Sequence, residues 1–150
     1  MKKLFSLRNI SLAAAALLAL FLLIQLVPYG RNHTNPPVQS EPNWDSPGTR
    51  ALAERACFDC HSNETDWSRW YEGIAPASWL VQRDVDEGRQ HLNFSEWDHG
   101  GKPREIDEVW EVVARDSMPP LQYLLLHSEA KITQAERDQL IEGFRNSLSK

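Results

Sequence analysis

The sequence predicts an all-α fold in which a single membrane-spanning helix precedes a small helical domain. Residues 10–27 form an apolar run of 18 residues, enough helix to cross most of a ~30 Å hydrocarbon core. Four later segments repeat apolar residues at spacings of three and four, as helices with one buried face do. No segment shows the convincing polar–apolar alternation of a half-buried strand.

Composition excludes several classes of protein. With 25% charged and 41% hydrophobic residues in 150, the chain is neither collagen-like nor fully disordered. Its formal net charge of −5 argues against a nucleic-acid partner, because proteins that bind nucleic acids usually present a basic face. Two cysteines form at most one disulfide, so a disulfide-dense scaffold is excluded as well.

The beginning of the chain is typical of a membrane anchor. Residues 1–9 contain three basic residues and no acidic residue, and we expect them to stay in the cytoplasm. Residues 10–27 are then the transmembrane segment, and everything after them is exported. A signal peptide is the alternative, but its small residues normally end the apolar run, whereas Ala13–Ala16 come early in this one.

Residues 28–46 are predicted to be an extended tether. They contain four prolines, which interrupt regular structure, and His33 among them is expected to be solvated. The helical domain is predicted to occupy residues 47–150. Without the three basic residues of the N-terminus, 13 basic residues face 21 acidic ones, a net charge of −8. Such an acidic exported part suits a cationic or neutral partner.

Four helices are predicted within the domain, over residues 47–56, 77–89 and 103–116 and from residue 134 onward. The first begins with Pro47, since the first helical turn tolerates a missing N–H. The last follows a capping box from Thr133 to Glu136. Long loops separate these helices, and loops of that length in a small domain need something to organise them.

The motif Cys57-Phe58-Asp59-Cys60-His61 lies between the first two of these helices. Cys57 and Cys60 are three residues apart on a helical turn, so their sulfur atoms face the same way and suit the two vinyl groups along one haem edge. The imidazole of His61 follows directly and is placed to bind iron. Because Cys-x-x-Cys-His is the attachment signal of c-type haem, the motif predicts one covalent haem c.

Other interpretations of Cys-x-x-Cys remain open. A disulfide or a thioredoxin-like redox pair is one, but a redox pair expects a βαβ context that the helical pattern does not supply. Half of a zinc site is another, but it needs two more ligands, and His91 and His99 are eight residues apart, too far for the usual pair.

A haem that transfers electrons usually has a second axial ligand. Met118 is the one methionine besides the initiator, and the following Pro119-Pro120 is expected to hold its thioether on a stiff loop. His91, His99 and His127 are the alternatives for a bis-histidine site. Of these, His127 suits a propionate contact or a helix cap equally well, and His99 is expected to be solvated.

Further landmarks follow the attachment motif along the chain: Ser62–Thr65, Trp67, Ala75-Pro76, Ser78-Trp79, Gly88-Arg89, Leu92–Ser95, Met118–Pro120, Tyr123, His127 and Glu136. Together with the motif, they resemble the bacterial haem-binding domain family of small, mostly membrane-anchored, monohaem c-type cytochromes. The resemblance covers residues 32–144 and departs from the family pattern at residues 67–71, where a proline between two closer aromatic residues is expected.

The resemblance implies a cytochrome c-like fold with a single covalent haem. It implies attachment at Cys57 and Cys60, His61 as the proximal iron ligand and Met118 as the distal one. In such a fold the first and last helices pack beside the haem, and the apolar faces that suit this contact contain Leu52, Ala56, Leu140, Ile141 and Phe144.

Two further sets of side chains are expected at the haem. Five tryptophans are expected either as pocket walls or as ordinary core residues: Trp67, Trp70, Trp79, Trp97 and Trp110. Three residues are candidate donors to the propionates, and the sequence does not choose among them: Asn63, Arg89 and Trp97.

The predicted function is that of a periplasmic, membrane-anchored cytochrome of the bacterial inner membrane. It carries electrons to or from a membrane-associated redox partner protein and is not itself an enzyme. Two alternatives remain: a haem-based sensor or peroxidase-like enzyme with an open or labile distal site, and a fixed haem subunit of a membrane oxidoreductase.

Overall fold

The computed structural model describes residues 6–149, and this range is all-helical, as the sequence predicts. It contains seven α-helices and no strand: α1 (Leu7–Ile24), α2 (Pro47–Ala56), α3 (Phe58–His61), α4 (Ala77–His91), α5 (Glu108–Ala114), α6 (Leu121–Leu124) and α7 (Gln134–Leu148). Three short 3₁₀-helices cover Trp70–Gly73, Trp97–His99 and Ser128–Ala130. Residues 1–5 of the predicted cytoplasmic segment lie outside the described range.

The predicted helices occur, with several changes at their ends: α1 lies three residues earlier than the predicted membrane segment of residues 10–27, and α4 ends at His91 instead of Arg89. Helix α2 has the predicted bounds, and α7 begins directly after Thr133, whose side chain accepts from the backbone N–H of Glu136. Helix α5 begins at Glu108, later than the predicted start at Pro103, and ends at Ala114, before the predicted end at Asp116. The intervening residues form turns, in which Glu108 N bonds to Glu105 O instead of continuing a helical ladder.

The described chain divides into two compact units. One contains the residues up to His33 together with Trp67–Arg83, and the other contains Thr34–Asp66 and the residues from Asp84 onward. Helix α4 contributes residues to both. These units group residues that lie close together in space, whereas the predicted domain boundaries follow composition along the chain. The predicted boundaries therefore stay predictions.

The first unit contains α1, the one helix in the described range that is long and apolar enough to cross a membrane. None of its residues is buried. His33 belongs to this unit and differs from the expected solvated linker residue. It is half-buried, its ring stacks on Trp67 with centroids 4.5 Å apart, and its Nε2 lies 3.1 Å from the carbonyl oxygen of Glu72.

The core of the second unit lies where α2 and α5 pack against α7. The predicted contact between the first and last helices of the domain is confirmed, with Leu52, Leu140 and Phe144 buried in one cluster. Gly143 permits the close approach of α2 to α7, because a Cβ at this position would lie 2.2 Å from the side chain of Thr49.

The second half of the predicted tether makes contacts that its composition does not indicate. Gln39 N and Ser40 N both donate to Ser95 O, at 2.8 and 3.1 Å. Trp44 packs against the aromatic core, with its ring centroid 5.4 Å from that of Phe94. In the structure, therefore, residues 34–46 contain no helix but are part of the second unit.

Candidate functional site

A cavity of about 910 Å³ lies in the second unit. The four predicted site residues line it together: Cys57, Cys60, His61 and Met118. Met118 is 57 residues beyond His61 in the chain, so the fold and not the local sequence brings them to one cavity. The volume is at the upper end of the range for small-molecule and cofactor pockets.

The motif is placed by a break between two helices. Cys57 ends α2, and its φ of −128° lies outside the helical range, so α3 begins as a separate turn. Within that turn Cys60 N and His61 N both donate to Cys57 O, at 3.2 and 2.9 Å. Helix α4 packs directly on the motif at Gly88, where a Cβ would lie only 2.3 Å from Cys60 O.

The hydrogen bonds of His61 select its tautomer. Nδ1 lies 3.0 Å from Gly88 O and 3.1 Å from Leu92 O. Both partners are carbonyl oxygens and only accept, so Nδ1 carries the hydrogen and Nε2 of the neutral ring keeps its lone pair. Burial lowers the pKa of His61, which favours this neutral form. A ring held in this way is typical of a metal-ligating histidine.

Both cysteines are free thiols and half-buried. Burial raises the pKa of each to about 12, with smaller contributions from Cys60 at Cys57 and from Asp84 at Cys60. Catalytic thioredoxin-like cysteines have lowered pKa values instead, so the environment argues against a reactive redox pair. The zinc alternative gains no support either, because residues 6–149 contain no cluster of three or more His, Cys, Asp or Glu side chains suited to a metal.

Met118 is held by the end of α5. The backbone N–H groups of Ser117 and Met118 both donate to Val112 O, at 2.9 and 3.3 Å, and the bond from Met118 to Pro119 is cis. The Met118 side chain lines the cavity and keeps 37% of its surface exposed.

Of the three alternative histidines, His91 alone lines the cavity. It adjoins Leu92, whose carbonyl oxygen lies 3.1 Å from His61 Nδ1. His99 is exposed, with Nδ1 3.2 Å from Ser40 Oγ. His127 is buried and stacks on Tyr123, with ring centroids 3.7 Å apart.

The expected propionate donors are engaged elsewhere in the fold. Arg89 donates through Nε to Ser62 O at 2.8 Å and through Nη2 to Thr65 Oγ1 at 3.0 Å. Asn63 donates through Nδ2 to Pro37 O at 3.1 Å. These two side chains tie loops together, and neither lines the cavity. Their assignment as propionate donors is therefore not supported.

The expected tryptophan walls are also absent from the cavity lining. Trp97 and Trp110 are buried in the core cluster of the second unit, and Trp67, Trp70 and Trp79 belong to the first unit. The apolar lining is aliphatic and phenylalanine instead: Leu92, Phe94, Val109, Val112, Val113 and Phe144.

The sequence pattern missed two cations at the cavity, Lys102 and Arg104. Lys102 forms an ion pair of 3.1 Å with Asp98, and its Nζ lies 5.4 Å from the ring centroid of Trp97. Arg104 is exposed and makes no hydrogen bond within the described chain. The only local signal for them is a pair of basic residues flanking Pro103. Acidic side chains are more numerous in the lining: Asp59, Asp84, Glu87, Glu105 and Glu108.

A family model for the haem-binding domain matches residues 19–146, most of the chain. The chain belongs to the haem-binding domain family. Comparison with curated proteins and with solved structures gives no match. The match to the family model confirms the family resemblance seen in the sequence and identifies the protein as a haem-binding protein.

The cavity of this haem-binding protein has the chemistry that haem requires. An apolar lining suits the flat porphyrin, and the Nε2 lone pair of His61 and the thioether of Met118 suit its iron. Two protonated thiols lie beside the histidine, and two cations suit the propionates. The residues present therefore fit the group.

Proposed function

We propose that the protein is a membrane-anchored monohaem c-type cytochrome that carries electrons. The observation that supports this most is that Cys57, Cys60, His61 and Met118 line one cavity. When bound, haem supplies a one-electron couple between ferric and ferrous iron. The chain's own residues would hold the group, and His61 and Met118 would supply the nitrogen and sulfur atoms that bind its iron.

Three residues of the motif are proposed to hold the haem. Cys57 and Cys60 would attach it covalently: each S–H would add across a vinyl double bond of the haem, the sulfur bonding to one vinyl carbon and the thiol hydrogen to the other. His61 ligates the iron through Nε2, because Nδ1–H is occupied by the carbonyl oxygens of Gly88 and Leu92. The same two hydrogen bonds fix the ring plane and make Nε2 a stronger donor.

Met118 is the proposed distal ligand. A thioether stabilises ferrous iron and raises the reduction potential relative to a second imidazole. His91 adjoins Leu92, whose carbonyl oxygen lies 3.1 Å from His61 Nδ1, and this closeness to the first iron ligand disfavours His91 as the second. Lys102 and Arg104 are the proposed partners of the propionates, since a cation next to a carboxylate gives a charge-assisted hydrogen bond.

The surroundings suit a basic redox partner at a membrane. Five acidic side chains in the cavity lining attract a basic surface, an effect that added salt weakens. Helix α1 is proposed to anchor the chain in the bacterial inner membrane, with the N-terminus cytoplasmic and the haem domain periplasmic. Anchoring raises the effective concentration of the domain near a membrane-associated partner.

The first experiment is a reduced-minus-oxidised optical spectrum of the full chain, matured in a host that attaches haem c. Sharp ferrous bands and a ferric methionine–iron charge-transfer band, unchanged by carbon monoxide, support the electron carrier. A c-type spectrum that lacks this band and shifts with carbon monoxide contradicts His61/Met118 ligation.

A second candidate function is a haem-based sensor or peroxidase-like enzyme. The exposure of Met118 favours it, since a partly solvated thioether is easier to displace than a buried one. Displacement of Met118 by carbon monoxide or cyanide, together with turnover of peroxide, would support this function in place of the carrier.

A further inference from the structure

The chain just after α1 is tied to residues 75–78 within the first unit. Gln25 uses both ends of its amide: Nε2 donates to Ala75 O at 2.9 Å, and Oε1 accepts from Ala75 N at 3.1 Å. Gly30, with φ of +74°, lies so close to Ser78 that a Cβ would be 2.3 Å from the carbonyl oxygen. Residues 75–78 therefore lie directly beside the end of α1.

A second tie joins the same part of the chain to residues 67–72. His33 stacks flat on Trp67, and its Nε2 lies 3.1 Å from Glu72 O. Glu72 in turn accepts the backbone N–H of Arg69 at 2.9 Å. The 3₁₀-helix Trp70–Gly73 is thus held between these two ties to the chain that follows α1.

The level of these residues follows from the length of α1. Eighteen residues at about 1.5 Å each span about 27 Å, close to the ~30 Å thickness of a hydrocarbon core. Gln25, the residue after α1, therefore lies near the boundary between hydrocarbon and headgroups. Ala75, bonded to Gln25, lies at the same level.

The side chains exposed in this region are those that favour a membrane interface. Trp70 is 79% exposed, Leu80 61% and Tyr29 45%. The segment from Trp70 to Ala75 is mostly 3₁₀-helix at about 2 Å per residue, which keeps Trp70 within about 12 Å of Ala75. Tryptophan and tyrosine are enriched at the headgroup level, where an apolar ring and a polar N–H or O–H are both accommodated.

We propose that residues 67–83 form a second contact with the bilayer, in which Trp70 lies among the lipid headgroups. The proposal rests on the membrane anchoring by α1 but not on the haem chemistry. The contact fixes the first unit against the bilayer surface, whereas a single spanning helix alone leaves it free to pivot.

The test uses the full chain in nanodiscs whose lipid acyl chains carry bromine, which quenches nearby tryptophan emission. The measured quantity is the ratio of emission in brominated lipid to emission in matched plain lipid, because quenching by haem is present in both samples and only the bromine differs. Trp70→Phe is expected to remove the largest share of the bromine quenching. Trp110→Phe, a change in the core of the second unit, is the matched control and is expected to leave it in place. Quenching is expected to be strongest when the bromines lie near the headgroups.

Three results would overturn the contact. Equal quenching in the parent and in Trp70→Phe would place Trp70 away from lipid, as would the absence of bromine quenching in the parent. The strongest quenching from bromines near the bilayer centre would contradict an interfacial level. If Trp70 contacts another protein and not lipid, the parent and Trp70→Phe will show equal quenching.

Two readouts on the same samples separate this inference from the proposed function. The haem spectrum reports the haem site, and resistance to alkaline extraction reports anchoring by α1. Suppose that the haem spectrum is intact and the chain resists alkaline extraction, but Trp70→Phe does not change the bromine quenching. This result would overturn the interfacial contact alone. Release by alkali overturns both the anchor and the contact but leaves the haem proposal standing.

Discussion

Tyr123 donates a hydrogen bond of 2.6 Å from its hydroxyl to Oδ2 of Asp59. Asp59 lies inside the Cys-x-x-Cys-His motif, and Tyr123 lies in α6, just after the Met118 loop. Both side chains line the cavity. The other carboxylate oxygen of Asp59 accepts the backbone N–H of Asp66 at 3.0 Å, so this carboxylate links the motif to α6 and to the loop that contains Asp66.

Replacing Tyr123 by Phe tests this link. We expect the free energy of unfolding to fall by about 1–2 kcal/mol, because the acceptor is charged but only half-buried. We also expect carbon monoxide to bind the ferrous protein faster, since α6 follows the loop that carries Met118. Denaturant unfolding and carbon monoxide mixing measure the two effects. Asp59→Asn keeps an oxygen acceptor, so its unfolding free energy and its carbon monoxide binding rate should lie between those of Tyr123→Phe and the parent. Parent-like values of both quantities for Tyr123→Phe would contradict the link.

The double replacement Cys57→Ala/Cys60→Ala tests covalent attachment. Without sulfur no thioether forms, so acidified organic solvent should extract all of the haem from this variant and none from the parent. Noncovalent haem is still expected to bind, because His61 and the apolar lining remain. Haem that resists extraction from the double variant would refute attachment at these positions.

Replacing Met118 by Ala tests the distal ligand. We expect the ferric charge-transfer band to disappear, the reduction potential to fall and carbon monoxide to bind, because the thioether that favours ferrous iron is removed. His91→Ala is the matched control, since His91 lines the same cavity, and it should keep the parent spectrum. The opposite pattern, with the band lost in His91→Ala alone, would assign the distal position to His91.

Glu136 gives the stability of the domain an acid-pH dependence. Hydrogen bonding to the backbone N–H of Thr133, and then to Arg55, lowers the pKa of Glu136 to about 2. A lowered folded-state pKa stabilises the fold above the unfolded value of about 4.3, and this contribution is lost as the pH falls towards 2. Glu136→Gln should therefore flatten the dependence of unfolding on pH in this window.

The control for that measurement is Glu142→Gln. Glu142 is exposed on the same helix and forms no ion pair within residues 6–149. We expect its replacement to leave the pH dependence of the parent intact. A parent-like curve for Glu136→Gln would show that the contacts with Thr133 and Arg55 contribute nothing measurable.

Replacing Gly143 by Ala tests the close packing of α2 against α7. The added methyl group would meet Thr49, which is 1% exposed, so we expect a loss of about 1–2 kcal/mol despite the better helix propensity of alanine. A Thr49→Ala background removes the Oγ1 and Cγ2 contacts at 2.2 and 2.4 Å but keeps the Cβ at 2.9 Å, so Gly143→Ala should cost less in that background than in the parent. Thermal unfolding of the four proteins in this cycle measures the coupling, and additive effects would refute the contact.

Local sequence patterns predicted the helices and the Cys-x-x-Cys-His motif but not the hydrogen-bond partners of individual side chains. The capping box predicted the start of α7, and Pro47 that of α2, because a helix start depends on a few adjacent residues. Arg89 was expected at a propionate but is bonded to Ser62 O and Thr65 Oγ1. Nothing within a turn of Arg89 indicates those partners, which lie more than 20 residues earlier in the chain.

The sequence by itself determined the all-α class, the apolar α1, and the spacing of Cys57, Cys60 and His61, since each depends on neighbours within a few turns of helix. Only the tertiary structure decided that Met118 reaches the cavity of His61, that residues 34–46 pack on the domain, and that cations on either side of Pro103 line the site. These features depend on the path of the backbone between distant segments. That path is set by the packing of α2 and α5 against α7, which no local pattern encodes.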